Sequence, residues 1–427
     1  MNAPETRGLP SAVISVELSP LRKSILLAVC LLLTFAYTYR VLRSYLASHY
    51  AAKRDVTSLE RATRLEPGNA LYADRLGRFL SFARQDLTAS LNPYLDAVRA
   101  NPYEAQYWLD LASVYQFTGN TQEQRRALEA AVRADPHTPA IAWQAANFFL
   151  LQGETAQALR QFRVVIENDA QQADTAVSLC WRATHDVGAV IRDALPPESD
   201  AYLRLLRLLV NDNQMDDARD VWSHVADLRQ PIDIRTALRY ADYSLARGDI
   251  DQAIKVWKDL LLRDKQLKPY SVADDQVVNG GFEEPVLNGG FDWRYARYAG
   301  VTVSIDTTIV HSGMRSLKLD INSNLQVPGI LQLVPVQPDT EYQFSGYMKG
   351  EGLDGANGPR FAVGDPVNKT TYLMSEDMQG SIAWRRFAGS FKTSPNARIV
   401  TVGVVQDPPN THLTGQVWVD DISLQKR

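Results

Sequence analysis

The sequence is poor in the residues that build disulfide frameworks, metal centres and surfaces for polyanions. Its 427 residues include two cysteines and six histidines, and 49 acidic residues outnumber 45 lysines and arginines. Cys30 lies in an apolar run and Cys180 in a helical segment, a spacing that suits neither a disulfide framework nor a metal site. With a formal charge of −4, the chain lacks the basic field that holds nucleic acid, so we expect no nucleic-acid partner.

Short motifs for common catalytic chemistry are also missing. The chain contains no nucleophile elbow, no H-E-x-x-H helix and no phosphate-binding glycine loop. A glycosidase needs two carboxylates set apart across a cleft. The adjacent pairs Glu283-Glu284 and Asp420-Asp421 do not supply this, because neighbours on a strand point to opposite faces. We therefore expect a protein that is not an enzyme.

One apolar run stands near the N-terminus. The chain carries no charge from Ser24 to Tyr39, and snorkelling of Arg40 and Arg43 extends the run toward the roughly 20 residues that a span needs. No clean cleavage site follows, which favours an uncleaved anchor over a signal peptide. We predict a cytoplasmic tail over residues 1–23 and a single transmembrane helix over 24–46 in the inner membrane. The flanking basic residues leave the orientation weakly determined.

The middle of the chain repeats itself. Equivalent positions at Pro67, Pro102, Pro136 and Ala170 follow one another at intervals of 35, 34 and 34 residues, which is the tetratricopeptide period. The segment Trp108–Tyr115 reproduces the W-x2-L-G-x2-Y pattern of that family, with Ala in place of Gly. The region thus resembles tetratricopeptide repeats.

This resemblance implies an all-α solenoid over residues 47–268 whose concave groove holds a protein partner. We expect five or six helix pairs between Val56 and Leu267, with an irregular region around Cys180. Gln124 stands where the repeat pattern has Ala, so that repeat should pack less tightly. The alternative is a spacer that lifts the C-terminal domain off the membrane.

Beyond residue 270 the periodicity becomes that of strands. Apolar and polar residues alternate over 301–306, 317–321 and 342–348, as they do in strands half buried on a core. Segments rich in Gly, Pro and Asn separate roughly nine or ten such strands. The pattern predicts an all-β jelly-roll sandwich over residues 269–427.

Several stretches of this region occur in a recognisable order: Asn279-Gly280-Gly281-Phe282-Glu283, "HSGMRSLKL" from His311, "YQFSGYMKG", "WRRFAGSF" and "VWVDDISL". Together they resemble carbohydrate-binding modules of the families 4, 9 and 22 type. The resemblance implies a glycan ligand met outside the cytoplasm, and it places the bulk of the chain on the periplasmic side. The chain departs from these modules in the extra "EPVLNGG" before Phe291-Asp292-Trp293.

Sugar sites need flat aromatic faces beside hydrogen-bonding side chains. The aromatic and basic stretch "DWRYARY" makes Trp293, Tyr295 and Tyr298 the candidate carbohydrate-binding residues. The alternative for Trp293 is that it plugs one end of the sandwich.

A structural metal is the second site hypothesis. Alternation over 417–424 places Asp420 on the core side, where a carboxylate needs a partner. If the first and last strands are neighbours, Glu283 lies near it, and calcium accepts carboxylates together with backbone carbonyls such as those near Gly313. The modules that this region resembles carry a structural Ca²⁺ at the matching Glu and Asp. The alternative is a carboxylate that is hydrogen-bonded to an arginine or to backbone.

These features predict a membrane-anchored, non-catalytic scaffold of the bacterial envelope. Its repeats would bind a protein and its sandwich a glycan, in assembly or export of an exopolysaccharide or cell-surface polysaccharide. One alternative is a purely structural interaction protein whose sandwich no longer binds sugar. Another is an accessory protein of a glycoside hydrolase.

Overall fold

A computed structural model describes residues 19–53, 55–272, 275–297, 299–322, 329–409 and 411–427. Contacts within the chain divide it into two units, Met1–Asn168 and Asp169–Arg427.

The first unit begins with helix α1, Pro20–Ala51. Pro20 suits the first turn, because the amide that it lacks would have no helical partner there. Along α1 only Ala47 and Ala51 are buried. Among the described residues this is the one helix long and apolar enough to cross a membrane, a property that a signal sequence shares. Residues 1–18 of the predicted cytoplasmic tail lie outside the described residues.

Helix pairs make up the rest of the first unit, with α3 against α4, α5 against α6 and α7 against α8. Gly119 and Gly153 take positive φ values at the turns inside the second and third of these pairs, a conformation that favours glycine. The helix bounds are α2 Val56–Leu65, α3 Ala70–Arg78, α4 Leu87–Ala100, α5 Ala105–Phe117, α6 Thr121–Ala134, α7 Pro139–Leu151 and α8 Thr155–Asn168.

Small and aromatic residues of α5 and α7 form part of the core of this unit. Ala112 and Ala146 are fully buried, and Phe149 is nearly so. Gln124 is also buried, and its Nε2 has no hydrogen-bond partner among the described residues. The position that departs from the repeat pattern therefore holds an unsatisfied polar group.

The second unit opens with more helix pairs, among them α11 with α12 and α13 with α14. The irregular region predicted around Cys180 falls just after it, where His185 is left-handed and Val190–Ala194 forms a π-helical turn. The bounds are α9 Ala173–Thr184, α10 Val187–Ala189, α11 Ser199–Asn211, α12 Met215–Leu228, α13 Ile234–Ala246 and α14 Ile250–Arg263. A 3₁₀ turn, Lys265–Tyr270, follows α14.

A β-sandwich completes the second unit. Its five-stranded sheet has the order β1-β2-β9-β4-β7, its four-stranded sheet has the order β3-β8-β5-β6, and the paired strands are antiparallel. The sandwich predicted from alternation is thus confirmed, with its core between the two sheets around Trp293, Phe344 and Phe361. The strand bounds are β1 Val301–Asp306, β2 Ser316–Ile321, β3 Ile330–Pro335, β4 Glu341–Gly355, β5 Pro359–Asp365, β6 Thr370–Met374, β7 Gly380–Lys392, β8 Ile399–Gln406 and β9 Leu413–Lys426.

Candidate glycan-binding and metal sites

A groove of about 500 Å³ lies along the outer face of the four-stranded sheet. Alternate residues of the strands reach this face, and the central ones are small: Ala362 and Gly364 on β5, and Gly403 on β8. Larger side chains surround these three small residues. The remaining lining residues are Leu331, Val363, Thr371, Met374, Thr401, Val405, Gln406, Asp407 and Pro409.

This groove combines an aliphatic surface with hydroxyl, amide and carboxylate groups. Such a mixture suits a ligand with apolar faces and hydroxyl edges. No aromatic side chain lines the groove in the part of the chain that the structure describes. Binding here would depend on shape and on hydrogen bonds rather than on ring stacking.

The aromatic residues predicted to stack on sugar are placed differently. Trp293 is fully buried, its ring lies 5.1 Å from that of Phe282, and its Nε1 donates a 3.0 Å hydrogen bond to the Asn279 carbonyl. Because no face of the indole reaches solvent, Trp293 does not fit the stacking role and plugs the core instead. Tyr295 is half-buried, and Tyr298 lies outside the described residues.

Partly exposed aromatic side chains lie instead on β4 and β7 of the five-stranded sheet and in the loop before β2. The His311 ring stacks on Tyr347 with centroids 3.6 Å apart, and Trp384 meets His311 edge-on at 5.6 Å. His311 Nδ1 lies 2.6 Å from the Asp421 carboxylate. These residues belong to motif stretches visible in the sequence, but only the strand pairing brings them together.

Trp418 lies on the same sheet and is almost fully buried. Its Nε1 donates to Asp306 at 2.8 Å, and the ammonium groups of Lys349 and Lys318 lie 4.4 and 5.2 Å from its ring centre. The lysines cover the ring through cation–π contacts. Trp418 therefore offers no free face to a ligand.

The three predicted metal ligands converge on the loop 311–315. Glu283 Oε1 accepts the Met314 amide at 2.8 Å, and Asp420 Oδ2 accepts the His311 amide at 2.9 Å. Gly313 has φ +61, and a Cβ at this position would lie 1.9 Å from Glu283 Oε1. Glycine is thus needed for the carboxylate to reach the loop.

The buried Asp420 carboxylate accepts hydrogen bonds from the backbone amides of His311, Ser312 and Asp421. Burial raises its pKa, and the charge of Asp421 adds to that effect, while backbone amides of the loop lower it. The predicted ligands Glu283, Asp420 and the Gly313 carbonyl offer oxygen atoms, which fits a hard cation such as calcium. Among the described residues, no three Asp, Glu, His or Cys side chains are grouped to hold a metal. Backbone carbonyls would have to complete a calcium site.

A second groove, of about 570 Å³, is formed by α9, α11 and α13. Arg207 and Arg239 line it together with Tyr243, whose ring stacks on Tyr240. Asp174, which also lines the groove, is paired with Arg204 at 2.7 Å and with Arg207 at 3.5 Å. The groove thus presents guanidinium and aromatic groups from successive helix pairs.

Comparison with known proteins identifies the sandwich. Residues 274–410 match the family model described as "Carbohydrate binding domain". The C-terminal sandwich is therefore similar to carbohydrate-binding modules of the family 4 and 9 type. The match covers less than half of the chain, and no curated protein matches the sequence.

Solved structures resemble separate parts of the chain. A structure titled "CBM4 structure and function" is 15% identical, has a TM-score of 0.28, and matches 35% of this chain and 99% of its own. The CBM22-1 xylan-binding domain from Paenibacillus barcinonensis Xyn10C is 15% identical over 36% of this chain and 97% of its own, with a TM-score of 0.25. YrrB, a TPR protein with an unusual peptide-binding site, is 11% identical over 49% of this chain and 94% of its own, with a TM-score of 0.24.

Proposed function

We propose that this protein is a non-catalytic scaffold whose sandwich binds a glycan in the groove on its four-stranded sheet. The observation that carries the proposal is a groove across the outer face of a domain that matches a carbohydrate-binding family. The small residues Ala362, Gly364 and Gly403 let a chain of sugars approach the sheet closely. Thr371, Thr401 and Asp407 supply hydrogen-bonding groups for hydroxyls.

A glycan array probed with the full chain in detergent tests this function. The variant Thr401→Trp places a bulky side chain in the groove and should abolish any binding that the parent shows. The matched control is Thr302→Trp, which puts the same side chain on an exposed position of β1 in the other sheet. Equal binding by both variants would move the site away from the groove, and an array empty for the parent would favour the sandwich that no longer binds sugar.

We propose that the groove of α9, α11 and α13 holds an extended segment of a partner protein. The guanidinium groups of Arg207 and Arg239 can donate hydrogen bonds to carboxylates or backbone carbonyls of the partner, and Tyr243 offers an aromatic face. A photo-crosslinking amino acid at Tyr243 should capture the partner in native membranes, whereas the same label at the exposed Leu262 of α14 should not. Equal capture at both positions would favour the spacer alternative.

The membrane and envelope role belongs to the same proposal. Helix α1 would anchor the chain in the inner membrane with both grooves on the periplasmic side, where polysaccharide is assembled or exported. A reporter enzyme that works only outside the cytoplasm, fused to the C-terminus, should therefore be active. Activity of a cytoplasm-specific reporter would reverse this topology. Copurification with a glycoside hydrolase would instead favour the accessory role.

We propose in addition that a structural calcium ion is held by Glu283 and Asp420, with backbone carbonyl oxygen at Gly313. The convergence of both carboxylates on one loop supports this assignment, as does the glycine that gives Glu283 access. Calcium would stabilise the junction of the loop with β9 by offsetting the buried charge of Asp420.

A further inference from the structure

The segment Glu284–Gly290, "EPVLNGG", lies just before Phe291 at the start of the sandwich region. In this protein it lies against helix α13. Gly290 N donates to Asp242 Oδ1 at 2.8 Å, and Arg235 Nη1 donates to the Leu287 carbonyl at 2.9 Å. This segment is therefore hydrogen-bonded to a helix of the repeat region.

Two glycines bring the segment close to apolar side chains of the helices. A Cβ at Gly289 would lie 3.3 Å from Leu238, and one at Gly290 would lie 2.7 Å from the Trp257 ring. Phe291, the next residue, meets Trp257 edge-on with centroids 6.1 Å apart. Larger residues at these positions would push the segment away from the helices.

Charged residues join the same elements. Arg294 Nη2 lies 2.6 Å from Asp242 Oδ1, and Arg294 is also paired through its backbone with Leu331 on β3. Arg398, which precedes β8, reaches Asp251 on α14 with Nη1 to Oδ2 at 3.1 Å. The sandwich is thus held to both helices of the last pair.

The contact falls on the edge of the four-stranded sheet. Leu333 and Pro335 alternate outward on β3, and they enclose a cavity of about 100 Å³ with side chains of α14 that include Trp257 and Leu261. Leu331 on the same strand lines the proposed glycan groove. The helices therefore cover the β3 side of the face that carries the groove.

Flexible linkers between domains are polar and make few contacts across the boundary. The contacts here are of the opposite kind, since they combine glycine-mediated close approach, aromatic packing and paired charges. We propose that Glu284–Gly290 is a docking loop that fixes the sandwich to α13 and α14 as one rigid body. The glycan groove then has a set orientation relative to the helix pair, and the proposal stands whether or not a glycan binds.

A distance measurement between spin labels tests the rigidity. Cysteines replacing Leu262 on α14 and Val367 in the turn after β5 would carry the labels, because both side chains are largely exposed. Cys30 is exposed and is changed to Ser, whereas Cys180 is buried, which raises the pKa of its thiol to about 12 and protects it from labelling. The full chain in detergent should give one narrow distance distribution.

The variant Gly290→Val should broaden that distribution, because its side chain would clash with Trp257. The matched control is Gly380→Val, at a similar φ of +67 but with no atom within 4 Å of a Cβ. Both variants carry the backbone strain of a branched residue at positive φ. Only Gly290→Val adds a clash with Trp257 on α14. Should Gly290→Val fail to fold, Asp242→Ala removes the partner of Gly290 and Arg294 and should also broaden the distances. A broad distribution in the parent would overturn the proposal, as would distributions in the folded docking variants as narrow as in the control.

Discussion

Asp74 on α3 and Asp110 on α5 share one arginine. The Arg78 guanidinium lies 3.0 Å from the Asp74 carboxylate and 2.6 Å from that of Asp110. Asp74 is nearly fully buried. Burial raises its pKa to about 7, and the charge of Asp110 adds to the effect, while Arg78 opposes it. The Asp74 carboxyl, which joins neighbouring repeats through Arg78, therefore loses its proton near neutral pH.

The first prediction is that the helical repeats lose stability as the pH rises from about 4 to 7. The ordinary pKa of Asp is about 3.9 in an unfolded chain, so between that value and 7 the folded state binds more protons than the unfolded state. Stability must then fall with increasing pH across this window. Thermal unfolding of the parent, followed by circular dichroism, should show a falling Tm for the helical transition.

Asp74→Asn cannot ionise and should remove most of this pH dependence. The variant should gain stability relative to the parent as the pH rises. Asp96→Asn, at a largely exposed ion pair on α4, should keep the dependence of the parent. The same slope in Asp74→Asn and in the parent would show that another group is responsible.

The general architecture was predictable because periodic patterns in the sequence determine it. Intervals of 34 and 35 residues led to helix pairs, and alternation beyond residue 300 led to strands. The link between Asp74 and Asp110 was not predictable. It depends on how two helices 36 residues apart in sequence face each other, and neither carboxylate stands out from the many acidic residues on helices.

Site residues were harder to predict than fold, for a chemical reason. An aromatic residue in a strand-rich domain serves equally well in the core or as a platform for sugar, so composition around Trp293 did not decide between the two. Glu283 and Asp420 both contact the loop 311–315, but not through neighbouring first and last strands: β1 pairs with β2, β2 pairs with β9, and Glu283 lies outside the strands. The docking role of Gly290 needs the position of Trp257, which no local pattern contains.

The second prediction concerns Gln124 on α6. Its Nε2 is buried and has no hydrogen-bond partner in the described part of the chain. An unsatisfied group of this kind typically costs about 1–3 kcal/mol, and Ala is the better helix former. Gln124→Ala should therefore raise the free energy of unfolding of the repeats by about 1 kcal/mol, since some apolar contact is lost as well. Denaturant unfolding measures the change.

Gln122→Ala serves as its control, because Gln122 is exposed on the same helix. Only the small difference in helix propensity, a few tenths of a kcal/mol at most, should appear there. A loss of stability in Gln124→Ala would mean that the amide has a partner, such as a bound water.

The third prediction separates packing from ligand binding in the stretch around Trp293. Removing this buried ring should cost about 3–5 kcal/mol in the stability of the sandwich. Tyr295→Ala should cost much less, because Tyr295 is only half-buried. Tm values of the two variants in the full chain make the comparison. If Trp293→Ala left the Tm unchanged and weakened glycan binding, the ring would have the stacking role after all.

The last prediction tests calcium at the loop 311–315. Glu283 and Asp420 each accept backbone amides of this loop, yet burial and Asp421 still raise the pKa of Asp420. A bound cation would offset that unfavourable charge, so chelator should lower the Tm of the sandwich transition in the parent and added calcium should restore it. Asp420→Asn keeps an amide-accepting oxygen but loses the charge, and its Tm should respond to neither treatment. Asp320→Asn, a change on the neighbouring strand β2, should respond as the parent does. If the parent is as indifferent as Asp420→Asn, the amides alone satisfy these carboxylates and the site holds no metal.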